Sequence, residues 1–187
     1  MSKILGIVGS PRRGGNTHLL VSEALDEAQR HGAGVECVLL GDLAIRECDG
    51  CHVCWQAKPC SKADDMIDLY AKIIDCDVLV FGTPVYWYGP TALMKAFIDR
   101  FVYFNCPANR AGVAGKSAAV VVPFEEQADE TAAGTVAFFD KCLQYLQMNL
   151  VGRLIVPGVT ERGEVGALPD VMARARDLGR ALAGGPA

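Results

Sequence analysis

Lys3-Ile4-Leu5-Gly6-Ile7-Val8-Gly9-Ser10-Pro11-Arg12-Arg13-Gly14-Gly15-Asn16-Thr17 joins an apolar, β-rich run to a glycine-rich turn and then to a helical pattern with no linker between them. From Asn16 to His31 the apolar and small residues Leu19, Leu20, Ala24, Leu25 and Ala28 recur at helical spacing, so the stretch reads as strand, loop and helix. The unit then repeats along the chain. Val35 to Leu40 predicts a strand, Ala63 to Ile74 a helix, and Asp77 to Gly82 a strand apolar on both faces. Thr91 to Phe101 predicts a helix with Ala92, Leu93, Ala96, Phe97 and Phe101 inward. Ser117 to Val122, Ala128 to Leu146, Leu150 to Val156 and Pro169 to Leu182 continue as strand, helix, strand and helix.

Five strands alternating with five helices imply an α/β fold, because parallel strands need long crossovers and helices supply them on both faces of the sheet. One domain over residues 1–187 is expected, ending in a frayed tail from Ala183 to Ala187. In such sheets ligands bind beyond the carboxyl ends of the strands, where strand order reverses. The loops to watch follow strands one, three and four and begin near Ser10, Thr83 and Pro123.

Composition narrows the function classes. With 51% hydrophobic residues and a formal charge of −4, the chain has a core and no large basic surface, so nucleic acid is not an expected partner. The opening apolar run is too short for a signal peptide and nothing approaches a membrane span of about 18 apolar residues. A cytoplasmic location without membrane insertion is therefore expected, where the eight cysteines stay reduced or hold a metal. No Gly-x-Ser-x-Gly elbow exists and three scattered histidines form no triad, which argues against a hydrolase.

The first loop suits an anion. Small and hydroxyl residues let backbone N–H groups come close, and the helix amino terminus adds partial positive charge. The run matches neither the Gly-Lys-Ser/Thr nor the Gly-x-Gly-x-x-Gly pattern, so Ser10, Arg12, Asn16 and Thr17 are candidates for a monophosphate cradle. The alternative is an ordinary turn with Asn16 as helix cap. After strand three, Thr83-Pro84-Val85-Tyr86-Trp87-Tyr88-Gly89 gathers hydroxyls, aromatic rings and backbone amides, as a flat aromatic ligand with a polar edge requires. Its alternative is an aromatic turn packed on the core or on a neighbouring subunit.

These two segments resemble a known family. Gly9-Ser10-Pro11-Arg12 followed by Gly15-Asn16-Thr17 is similar to the FMN phosphate signature of the NAD(P)H-dependent FMN reductases, and Gly82 to Arg100 to their second flavin loop and the helix after it. The likeness covers residues 1 to 157 and implies a flavodoxin-like three-layer sandwich with a five-stranded parallel sheet. It also implies FMN as cofactor, NAD(P)H as a transient co-substrate, and a quinone, free flavin, metal ion or protein as acceptor. No catalytic side chain is needed, because hydride and electron transfer belong to the flavin. Pro84, Val85, Tyr86, Trp87 and Tyr88 would touch the flavin. The chain departs from the family in its third loop, where Pro123-Phe124-Glu125-Glu126-Gln127 replaces the glycine-rich run of many relatives and brings acidic side chains to the site. Phe97, Phe101, Tyr103 and Phe104 suggest a self-associating patch and hence a homodimer or higher homo-oligomer, in agreement with the resemblance.

A second motif lies between strand two and the next helix. Cys48, Cys51, Cys54 and Cys60 stand within thirteen residues at Cys-x-x-Cys-x-x-Cys spacing followed by a fourth, an arrangement that can turn its sulfurs toward one centre. The run resembles the compact motif of the iron-sulfur flavoproteins, a branch of the same family, and the likeness would make these four residues ligands of a [4Fe-4S] cluster. Free or redox-active thiols and a zinc site remain alternatives, since FMN-only relatives keep similar loops and tetrahedral sulfur coordination suits zinc equally. An iron-sulfur electron carrier working between protein partners is accordingly the second functional reading. His52 reads as a loop side chain, and Cys37, Cys76, Cys106 and Cys142 as buried thiols.

Overall fold

The computed structural model describes residues 1–184. Five strands, β1 (Lys3–Val8), β2 (Gly34–Leu39), β3 (Val78–Gly82), β4 (Ser117–Pro123) and β5 (Asn149–Val156), form one sheet in the order β2-β1-β3-β4-β5. All four pairings are parallel, with Ile4 opposite both Val35 and Val78, and Val78 opposite Ser117. The α/β sandwich expected from the alternation is therefore present, and strand order reverses between β1 and β3. β3 and β4 are buried along their whole length, which accounts for their continuous apolar runs. β5 at the edge alternates between exposed and covered residues.

Two helical layers cover the sheet. α1 (Asn16–Arg30) and α7 (Pro169–Ala183) pack on one face through Leu20, Val21, Leu25 and Leu182. α2 (Met66–Asp75), α3 (Ala92–Asp99) and α6 (Glu130–Tyr145) pack on the other through Met66, Ile73, Met94, Phe97, Phe139 and Leu143. α1 and α7 meet at backbone distance, because a Cβ built on Gly179 would lie 2.2 Å from the carbonyl oxygen of Ala24. Gly179→Ala is therefore expected to force the helices apart and to cost about 1–3 kcal/mol in a urea-unfolding experiment, the usual cost of overpacking. An unchanged midpoint would count against that helix contact.

Several expectations need correction. Helix α2 starts at Met66 rather than Ala63, because the Asp64 carboxylate turns back to accept the Met66 N–H at 3.2 Å and marks the helix start. Beyond α3 the chain forms two further short helical turns, α4 (Val102–Asn105) and α5 (Pro107–Arg110), that periodicity did not suggest. Ala92 is exposed, whereas Phe97, Phe101 and Phe104 are all buried and pack edge-to-face in a chain of rings. Tyr103 is half-buried and stacks on Tyr70, so the aromatic patch invoked for self-association is core instead. Cys76 and Cys106 are buried as expected, but Cys37 lies exposed on edge strand β2 and Cys142 is only partly covered. Ala183 ends α7 and Gly184 follows as a turn; the remainder of the expected tail lies outside the described residues. Among the described residues no helix is long and apolar enough to cross a membrane.

Candidate functional site at the carboxyl edge of the sheet

The loop after β1 runs beside the loop after β3 because Gly9 N–H donates to the Gly82 carbonyl at 2.7 Å. Gly82 has no alternative, since a Cβ there would sit 2.5 Å from Val21 and 2.9 Å from Thr17. Helix α1 begins at Asn16 with Gly15 as its cap, no side-chain cap bond and no acidic residue in its first turn. Its first N–H groups therefore lack an intrahelical acceptor and aim partial positive charge outward. The alternative reading, an ordinary turn with Asn16 as the helix cap, does not match, since Gly15 holds the cap position. The Asn16 amide instead donates to the Glu161 carbonyl at 3.0 Å and accepts from Val165 N–H at 3.3 Å.

These elements enclose a cleft lined by Ser10, Arg12, Asn16, Thr17, Pro84, Val85 and Tyr86 together with Pro123, Phe124 and Glu125. Ser10 and Thr17 are buried polar residues of its wall. Val159, Thr160 and Arg162 complete it from the loop after β5, a loop that the sequence reading did not include. Arg12 donates to the Thr160 carbonyl at 3.3 Å, and Arg162 donates to the Arg13 carbonyl, so the fifth loop is tied onto the first. The loops after β4 and β5 extend the ladder of those strands, with Phe124 N–H on the Val156 carbonyl at 3.0 Å and Val159 N–H on the Phe124 carbonyl at 2.9 Å. Glu125 thus faces the same cleft as Arg12 and Arg162.

Thr83 lies behind the cleft, fully buried. Its hydroxyl donates to the Pro84 carbonyl at 3.0 Å and accepts from Thr91 N–H at 3.1 Å. Thr91 caps α3 by accepting from Met94 N–H at 3.2 Å and also donates to the Gly9 carbonyl, so one threonine registers both loops. Tyr86 and Gly89 exchange two backbone bonds of 2.9 and 3.1 Å across a two-residue turn. Trp87 and Tyr88 occupy its tip with φ of 49° and 61°, the left-handed values that such turns normally assign to glycine or asparagine. Each is strained by roughly 1–2 kcal/mol. Trp87 is 96% exposed, and with Val85, Tyr88, Glu126 and Thr131 it borders a shallow depression beside the cleft rather than the cleft itself. The seven residues Thr83–Gly89 therefore divide between a buried brace, a cleft wall and an exposed hairpin tip.

The four cysteines converge as well. Cys48, Cys51, Cys54 and Cys60 line one small cavity with Tyr70, Arg100 and Val102, although among the described residues no three of them stand at metal-ligand spacing. Burial, and then the neighbouring Cys60, push the Cys54 thiol pKa up, which makes it a poor nucleophile unless a cation joins it. Cys51 Sγ lies 3.2 Å from Ser61 Oγ. Cys60 Sγ accepts from Arg100 Nη2 at 3.2 Å. Arg100 is almost fully buried, and its Nη1 donates to Asp64 at 2.6 Å and to the Arg46 carbonyl at 2.9 Å. Sequence reading overlooked Arg100 because a charged residue at a helix end normally sits in water.

Comparison with known proteins accords with this layout. A family model described as NADPH-dependent FMN reductase matches residues 2–157. An iron-sulfur flavoprotein of Archaeoglobus fulgidus is 33% identical over 97% of this chain and 79% of its own length. An iron-sulfur flavoprotein of Methanocaldococcus jannaschii is 39% identical, with the match spanning 52% of this chain and about half, 51%, of that relative. The NAD(P)H:quinone oxidoreductase from Methanothermobacter marburgensis shares the fold with a TM-score of 0.78 at 16% identity, covering 97% of this chain and 96% of that one. Since the family model runs from the first strand to just past the fifth, and one relative is 33% identical over nearly the whole chain, the chain belongs to the NADPH-dependent FMN reductase family.

Proposed function

We propose that the chain is an FMN-dependent oxidoreductase that accepts electrons from NADH or NADPH and passes them to a quinone, a free flavin or another small acceptor. The observation that carries this reading is the uncapped amino terminus of α1 opening into a cleft with buried hydroxyls and two arginines. That donor set fits a phosphate monoester: orphan N–H groups and the Ser10 and Thr17 hydroxyls offer hydrogen bonds, and Arg12 and Arg162 offer charge. Pro84, Val85 and Tyr86 supply an apolar and aromatic wall for a flavin ring to pack against. When bound, FMN would supply hydride acceptance and one- or two-electron transfer. The chain's own part is to bind and orient. Thr91 and Thr83 keep the two loops in register, and Glu125 adds negative charge that disfavours an anionic reduced ring and anionic acceptors.

Titration of FMN with the apoprotein, followed by anaerobic mixing with NADPH or NADH, tests the reading. Quenched flavin fluorescence and bleaching of the bound flavin by either nucleotide are expected. Failure to bind FMN would remove the reading altogether. The second reading, an iron-sulfur flavoprotein that carries electrons between proteins, is favoured by one observation, the four cysteines around a single cavity. Equal iron and sulfide in anaerobically prepared protein, with reduction only by a low-potential protein donor, would select it. For either reading we propose a cytoplasmic homo-oligomer, and light scattering that finds only monomers would remove that part.

A further inference from the structure

We infer that Arg100 is a positioning residue of the four-cysteine site: its guanidinium closes the base of the Cys48–Cys60 loop and aims an N–H at the Cys60 sulfur. The inference rests on the reading of these cysteines as a metal or cluster site. Three contacts of one side chain carry it. Arg100 Nη1 holds the Arg46 carbonyl, two residues before the first cysteine, and Nη2 holds Cys60, the last. The entry and exit of the loop are therefore bridged by a single planar group. Asp64 accepts from the same Nη1, and the same Asp64 oxygen also accepts from Arg46 N–H at 3.1 Å, so entry segment, carboxylate and guanidinium form one unit.

The direction of the charge matters. Asp64 neutralises the Nη1 side, whereas Nη2 reaches the Cys60 sulfur beside the cavity that the four cysteine residues line. A metal held by four thiolates carries net negative charge, and an N–H donor and a positive edge on one sulfur stabilise that charge. Hydrogen bonds to ligand sulfurs are also a recognised control on cluster potential, because they favour the more reduced, more negative state. Lysine in place of arginine retains the ion pair with Asp64 but has one nitrogen where arginine has a fork, so it cannot hold Asp64, Arg46 and Cys60 together.

Arg100→Lys and, as a control, Tyr70→Phe separate the inference from simple packing, since Tyr70 lines the same cavity and hydrogen-bonds the Arg100 carbonyl but no sulfur. Apoprotein is titrated with Co²⁺ alone against a competing chelator, reading thiolate-to-metal absorption. A second sample is reconstituted with iron and sulfide and its midpoint potential measured by spectroelectrochemistry. Arg100→Lys is expected to bind Co²⁺ roughly 10–100-fold more weakly, the usual effect of losing an outer-shell partner, and to show a more negative potential. Tyr70→Phe is expected to match the parent protein in both. Equal affinity and equal potential in a folded Arg100→Lys would overturn the positioning role, as would a Tyr70→Phe that loses as much. A parent protein that takes up neither Co²⁺ nor iron would instead remove the site reading, and this inference with it.

Discussion

Asp64→Ala is expected to lower the unfolding free energy by about 3–5 kcal/mol at pH 7, the largest effect of any single substitution considered for this protein. The Asp64 and Arg100 side chains are 4% and 1% exposed, and their 2.6 Å contact is the only ion pair among the described residues in which both partners are so deeply covered. Removing the carboxylate leaves a guanidinium in a dry site with only backbone and sulfur acceptors. It also removes the acceptors of Arg46 and Met66 N–H. The other ion pairs reach water on at least one side and are worth about 0–1 kcal/mol each. Urea unfolding at pH 7 measures the difference, and a loss under about 1 kcal/mol would contradict it.

The same pair gives a pH dependence whose sign is fixed. Burial opposes charge on Asp64, but Arg100 and the N–H groups of Arg46 and Met66 outweigh it and hold the carboxyl below its usual value of 3.8. A carboxyl with a depressed folded value stabilises the fold fully above its unfolded value and loses that contribution as pH falls through the folded one. The deficit of Asp64→Ala should accordingly be constant from about pH 7 to pH 5 and shrink only below about pH 4.

The second large effect concerns the cleft. Ser10→Asp is expected to weaken FMN binding at least about 100-fold, equivalent to about 2.7 kcal/mol, by setting a carboxylate where the cofactor phosphate would lie. Without FMN the same carboxylate shares the cleft with Asn16 and Thr17, the first residues of the uncapped α1, and a negative charge close to such an end is worth about 0.3–1 kcal/mol of added stability. Affinity and stability should therefore move in opposite directions, which a merely misfolded variant cannot imitate. FMN fluorescence titration and urea unfolding of the apoprotein read the two quantities. Weakening of less than about threefold would mean that the phosphate does not sit at Ser10.

Much of this was legible in the sequence, for identifiable reasons. Strands buried on both faces, such as Val78–Gly82, announce themselves as unbroken apolar runs, and the turn within the loop after β1 is made by local bonds, Arg12 N–H to Ser10 Oγ and Gly15 N–H to the Arg12 carbonyl. The fifth loop was not legible. Arg162 reaches the first loop across 149 residues, and nothing local to Thr160-Glu161-Arg162 distinguishes it from an ordinary polar turn until β5 is known to lie beside β4. Arg100 was hidden for the same reason, since its burial depends on Asp64, 36 residues away. Trp87 and Tyr88 were readable as aromatic surface, but local preference opposes the left-handed turn that lifts them off the cleft, and only the flanking bonds between Tyr86 and Gly89 impose it.

The guanidinium that closes the cysteine loop also sets a clock. Synthesis delivers the chain from its amino terminus at about 5–20 residues per second, and Arg100 lies 40 residues beyond Cys60. For about 2–8 s after the last of the four thiols emerges, their loop has no floor to settle on. During that interval the thiols are open to oxidants and stray metal ions, and the fold can begin to shelter them only once the end of α3 has emerged and packed.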